Sequence, residues 1–193
     1  SDQVSDGIFW KSETHAKQGM MGVYAAMQVD DAFGLKFTFD SMSDIGTGFG
    51  NEAYSDVITG IYNERSSFVE KKWQSLFANL VIRKIAEIES MSESQKEQYV
   101  AEAKFMRALF YFELYNFYGA LPLYDESVNL STDYNNMKKP RSTEADVLKF
   151  ILDDLDFAIT HNLPVHWDVS EYGRATLGAA YALRGKVYLY MKE

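Results

Sequence analysis

Apolar residues recur at offsets of three and four in five stretches of the chain, a spacing that predicts five amphipathic helices. The first follows Ser12, places Ala16, Met20, Val23, Tyr24 and Met27 on one stripe, and fades near Asp30. The second carries Trp73, Leu76, Phe77, Leu80, Ile85 and Ile88 on its apolar face, turns Lys71, Lys72, Arg83 and Lys84 elsewhere, and stops near Ser90. Ser92 and Gln95 then form an S-x-x-Q capping box for the third helix, which runs to Tyr118. There Gly119 offers a left-handed cap and Pro122 prevents resumption. Phe105, Met106, Leu109, Phe110, Phe112, Leu114 and Phe117 leave this helix apolar nearly all round, as suits an element packed on two sides. Thr143, with Asp146 three residues on, caps a fourth helix whose stripe is Val147, Leu148, Ile151, Leu152, Leu155, Ala158 and Ile159, ending at Asn162 and Pro164. A fifth is expected to start near Arg174 and run towards the last residue.

Between the first two helices, residues 33–64 break the pattern. The stretch is Gly-rich and mixed polar, which reads as a long loop or excursion. Further on, Ala103-x3-Arg107-Ala108-x2-Tyr111 recurs as Ala180-x3-Arg184-Gly185-x2-Tyr188, displaced by 77 residues throughout. Matched small residues let neighbouring helices approach closely while the tyrosine fills the next groove. The fold class expected is therefore all-α: tetratricopeptide-like helical hairpins, at about 65–118 and 143–193, in an alpha-alpha superhelix within one domain, with a long irregular insertion between the first and second helices. The repeat is longer than the roughly 34 residues of a regular tetratricopeptide unit, so the hairpins must carry inserted loops.

Composition narrows the function classes. A net charge of −9, with basic residues spread along the chain, opposes a nucleic-acid surface. No apolar run is long enough to span a membrane as a helix. Zero Cys removes disulfides and thiolate chemistry. The chain opens at Ser1-Asp2-Gln3 with no leader pattern, so any targeting segment is expected upstream. Aromatic residues make up 15%, an excess that suits broad helix contacts or a stacking surface.

Catalytic chemistry finds little support. His15, His161 and His166 include no pair at i, i+4, and surface histidine is the simpler reading. Asp153, Asp154 and Asp156 form an acidic cluster, but a solvated helix side accounts for it. Gly46-Thr47-Gly48-Phe49-Gly50 lacks the Gly-Lys-Ser/Thr ending of a phosphate loop. No cofactor or metal set is recognisable. What remains is aromatic and amide-bearing: Phe49, Asn51, Tyr54, Tyr62 and Asn63 in the excursion, and Trp167 and Tyr172 between the last two helices. Ring faces can stack on sugar C–H surfaces while amides pair with hydroxyls. Ordinary loop packing explains the same residues equally well.

Several stretches stand in an order that resembles the SusD/RagB family. Glu102-Ala103-Lys104-Phe105-Met106-Arg107-Ala108-Leu109-Phe110-Tyr111-Phe112 is similar to that family's long helix motif, with Lys104 in place of the commoner arginine. Tyr118-Gly119-Ala120-Leu121-Pro122-Leu123 resembles the turn that follows it, with Ala120 in place of aspartate. Asp154-Leu155, Leu163-Pro164 and Gly173-Arg174-Ala175-Thr176 look like its later elements. The resemblance implies a surface-exposed lipoprotein of the cell outer membrane, held only by a lipid anchor upstream of Ser1. It implies non-catalytic binding of an oligosaccharide or other nutrient, handed to a SusC-like TonB-dependent transporter. It also implies that the chain is the N-terminal helical part of a longer protein. A general tetratricopeptide-type interaction scaffold fits the repeat but leaves Gly173-Arg174-Ala175-Thr176 unexplained. An all-helical glycoside hydrolase would need two convergent carboxylates, which spacing cannot display.

Overall fold

The two capping boxes legible in the sequence, Ser92 with Gln95 and Thr143 with Asp146, are the ones the chain uses. The computed structural model describes residues 9–28, 75–129, 133 and 138–191. Among them lie five α-helices, α1 (Glu13–Met27), α2 (Ser75–Ala86), α3 (Glu93–Tyr118), α4 (Glu144–Thr160) and α5 (Leu177–Tyr190), with a short 3-10 turn at Val169–Glu171 and no strand. The Cα framework divides into two compact units, Ser1–Tyr24 with Gln74–Glu193, and Ala25–Trp73. Within the first, α3 packs against α2, α4 and α5, and α4 packs against α5. Expected insertion 33–64 lies outside the described residues, as does Trp73.

Ser92 caps α3 through its Oγ, which accepts from Gln95 N, while Gln95 Oε1 accepts from Ser92 N at 2.9 Å. Thr143 and Asp146 repeat the reciprocal box at the start of α4. Gly119 ends α3 at φ 62°, but its ψ of −116° lies outside the left-handed helical well, so this is a positive-φ turn rather than the expected cap. The start of α5 also departs from expectation. Thr176 is its N-cap, accepting from Ala179 N, so Arg174 stands upstream of the helix.

α2 turns a different face inward than its large residues suggest. Ala78, Val81, Ile82 and Ile85 are buried, whereas Phe77 is exposed and Leu76 and Leu80 are only partly covered. A polar residue sets this rotation. Asn79 is buried, donating from Nδ2 to Tyr124 O at 2.8 Å and accepting at Oδ1 from Arg107 Nη1 at 2.8 Å.

Arg107 is the hub of the helical stack. It donates from Nε and Nη2 to the two carboxylate oxygens of Asp154 on α4, at 2.6 and 2.7 Å. Its Nη1 also reaches Glu126 Oε2 at 2.5 Å. Lys104 adds a second cation beside Asp154, at 3.2 Å. Burial disfavours the charge on Arg107, yet the hydrogen bonds and fields of Asp154 and Glu126 outweigh it and raise the pKa further. Asp154 is therefore not part of a solvated face, as the acidic cluster suggested. It sits with Ile151, Leu155 and Ala158 on the buried stripe of α4, and only Asp153 and Asp156 are exposed.

The chain after α3 is pinned beside this cluster by Tyr111 and Arg83. Tyr124 N donates to Tyr111 Oη at 2.8 Å, and Arg83 Nη1 donates to Val128 O at 2.8 Å. Residues 124–128 are thereby held against α2 and α3.

Candidate functional site

Between α4 and α5 the chain makes a tight excursion. Asn162 reverses direction at φ 56°, Leu163 buries its side chain, and Pro164 O accepts from Leu177 N at 2.8 Å, closing residues 164–177 into a loop. At its far end Gly173 takes φ 99°, a conformation that disfavours any side chain. That turn aims Arg174 back at α3.

Arg174 meets Glu102, a carboxylate with no exposed surface, through Nε at 2.9 Å and Nη2 at 2.6 Å. Tyr24 Oη donates to the same carboxylate at 2.5 Å and accepts from Ala175 N at 2.7 Å. Burial first, and Glu102 second, push the Tyr24 phenol well above its ordinary pKa. Arg174 Nη1 continues to Glu171, which also pairs with Lys17 of α1. Hydrogen bonds from Lys17 and then Arg174 hold the Glu171 carboxyl below the usual range. Three elements, α1, α3 and the 164–177 loop, are thus joined through one buried carboxylate. With all these donors committed to it, Glu102 is a structural anion.

The Arg174 guanidinium lies over the Trp167 ring at 3.7 Å from its centroid, and Trp167 Nε1 donates to Ala175 O at 2.7 Å. Two clefts flank this stack. One, of about 280 Å³, is lined by His166, Trp167, Tyr172, Gly173, Arg174 and Thr176. The other, of about 340 Å³, shares Trp167 and Arg174 and adds polar walls from Glu13, Lys17, Gln98 and Asp168.

Of the candidate residues, Trp167 and Tyr172 come to one cleft. They differ in availability: Trp167 is half-buried with Arg174 on its ring, while Tyr172 is 74% exposed. Phe49, Asn51, Tyr54, Tyr62 and Asn63 lie outside the described residues. His161 stacks on Phe157 at 3.8 Å at the end of α4. No group of three or more His, Asp or Glu able to hold a metal occurs among the described residues. Nor is any described helix long and apolar enough to cross a membrane.

Sequence reasoning missed Glu102, Arg174 and Tyr24 as one constellation. The available signal was Glu102 itself, a carboxylate flanked by Ala101 and Ala103 and one turn before Phe105 and Met106 on the packed side of α3, which burial obliges to find a cation.

A family model described as "Starch-binding associating with outer membrane", of SusD-like type, matches residues 1–189. The chain belongs to the SusD-like family. Its fold agrees with SusD-like structures: a SusD-like protein from Bacteroides fragilis superposes with a TM-score of 0.82 at 29% identity, over 98% of this chain and 37% of that one. A laminarin-binding SusD-like protein gives a TM-score of 0.75 at 28% identity, over 94% and 41%. The SusD-like protein P25 from Formosa agariphila is 26% identical over 96% of this chain and 38% of its own length. The chain thus spans about two fifths of the length of the SusD-like proteins it matches. Within the family fold, the Gly-Arg-Ala-Thr element acquires a structural explanation: Gly173 turns the chain, Arg174 neutralises Glu102, Ala175 is buried against Tyr24, and Thr176 caps α5.

Proposed function

We propose that the chain is the helical part of a surface lipoprotein that binds oligosaccharide without cleaving it and passes it to a SusC-like TonB-dependent transporter in the outer membrane. The observation that carries this reading is the SusD-like match over residues 1–189, joined to the fold shared with a laminarin-binding relative at 28% identity. The candidate contact residues are the exposed ring of Tyr172, which stands beside Trp167, and, as a separate set read from the sequence alone, Phe49, Asn51, Tyr54, Tyr62 and Asn63. An exposed phenol offers a sugar an apolar face for C–H stacking and a hydroxyl at its edge.

Calorimetry on the longer protein with a panel of α- and β-linked glucan oligosaccharides tests this. Binding without release of reducing ends is expected. Tyr172→Ala should weaken binding by roughly 2- to 10-fold, the loss of about 0.5–1.5 kcal/mol of ring contact. A folded protein that gives no heat with any saccharide, or that cleaves one, ends the proposal. Full affinity in Tyr172→Ala with loss in Tyr54→Ala or Tyr62→Ala would move the site into the excursion.

A further inference from the structure

The larger of the two clefts beside Trp167 has cations in its walls that are already matched. Lys17 pairs with Glu171, and Arg174 with Glu102 and Glu171. Two carboxylates of the same walls are not matched. Among the described residues neither Glu13 nor Asp168 has a cation. Glu13 accepts from Gln95 Nε2 at 2.7 Å and from Tyr99 Oη at 3.5 Å, and the Asp168 side chain makes no bond to the 3-10 turn it precedes. Thr14 of α1 and Gln98 of α3 line the cleft as well, and among the described residues their side chains make no hydrogen bond.

Uncommitted polar groups from α1, α3 and the 164–177 loop thus face one space of about 340 Å³, the size of a small-molecule site. The Thr14 hydroxyl and the Gln98 amide each donate and accept, while the two carboxylates accept only. Sugar hydroxyls, which do both, can satisfy all four groups, and the Trp167 indole adds an apolar wall. Charge limits which sugars fit. A carboxylated or sulfated unit would bring a further anion beside Glu13 and Asp168 with no free cation to receive it. One like charge about 5–8 Å away across water weakens binding by roughly 2- to 4-fold at low salt.

We propose that this cleft is a hydrogen-bonding subsite for an uncharged sugar unit, and that Asp168, together with Glu13, makes it reject uronate and sulfated units. The inference rests on the saccharide-binding reading above and narrows it to neutral glycans. Trp167 and Arg174 belong to both clefts, so a saccharide seated against Tyr172 has the polar cleft as its neighbouring position.

Calorimetry on the longer protein can compare a neutral glucan oligosaccharide with the same oligosaccharide oxidised at C6 to the glucuronate. The neutral form should bind at least about threefold more tightly at low salt, and the ratio should shrink near 1 M salt, where the screening length falls to about 3 Å. Asp168→Asn should cut the ratio by roughly 2- to 4-fold. Asp153→Asn, which removes the same charge from an exposed position on α4 outside both clefts, should leave it unchanged. Gln98→Ala should weaken the neutral form by roughly 2- to 10-fold, the loss of one hydrogen bond. Binding of neither form ends the saccharide reading and this inference together. Equal affinity for the two forms ends the inference alone, as does a preference that Asp168→Asn leaves intact or that Asp153→Asn reduces as much. Full glucan affinity in Gln98→Ala would likewise show that the sugar does not enter this cleft.

Discussion

Arg107 and Asp154 are each almost completely withdrawn from water, with side chains 2 and 3% exposed. Such a pair persists because nearly every polar atom is matched, and removing one partner strands the other. Asp154→Leu should therefore lower unfolding free energy by about 3–5 kcal/mol, while Arg107→Met with Asp154→Leu should cost far less than the sum of the two single changes. Urea denaturation of the four proteins measures the coupling; additive losses would mean that the two residues contribute separately. Glu126 belongs to the same cluster and brings pH into it. Burial opposes its charge, but Arg107 wins and lowers its pKa to about 2, below the ordinary carboxyl value. A folded pKa depressed below the unfolded one gives stability that is fully present above the unfolded value and is lost as pH falls towards 2. Glu126→Gln should accordingly flatten the fall in melting temperature between about pH 5 and pH 2. An unchanged acid slope would assign the sensitivity to other carboxylates.

At the scale of the helices, periodicity and caps were legible where local chemistry decides. Ser92, Thr143 and Asn162 each mark a boundary through hydrogen bonds or φ values that depend on neighbours in sequence. Facing was less legible in α2, because large apolar residues occupy two sides and the choice falls to Asn79, whose donor Arg107 and acceptor Tyr124 lie 28 and 45 residues away. Asp154 was misread for a related reason. Its neighbours Asp153 and Asp156 are exposed, yet the spacing Ile151, Asp154, Leu155, Ala158 already placed it on the apolar stripe, where a carboxylate implies a buried cation. The aromatic residues at 49–63 share no clean helical stripe in the sequence. α1 supports a prediction of its own. A Cβ added at Gly19 would lie 2.8 Å from Cζ3 of buried Trp10 and closer still to Cη2. Alanine normally gains about 1 kcal/mol over glycine inside a helix, but overpacking costs about 1–3 kcal/mol. Gly19→Ala should thus be neutral to destabilising in thermal melts, and a clear gain in melting temperature would show that Trp10 yields without cost.

For the molecule as a whole, the two proposed surfaces depend differently on what surrounds them. The hairpins α2–α3 and α4–α5 are tied by contacts within this chain, Arg107 to Asn79 and Asp154, and Arg184 to Asp156. A saccharide platform needs walls on several sides to bury ring faces and satisfy hydroxyls, and the relatives of this chain are more than twice its length. On the added proposal that the helical hairpins form the transporter-facing surface, the 193-residue chain should keep transporter affinity better than glycan affinity, since stacked hairpins depend mainly on nearest neighbours. Titrating the chain and the longer protein with one oligosaccharide and with detergent-solubilised transporter compares the two losses directly. The expected result is a glycan affinity reduced at least about tenfold beside a transporter affinity that changes little. Glycan binding equal to that of the longer protein, with transporter binding gone, would mean that the clefts beside Trp167 suffice for the sugar and that the hairpins face elsewhere.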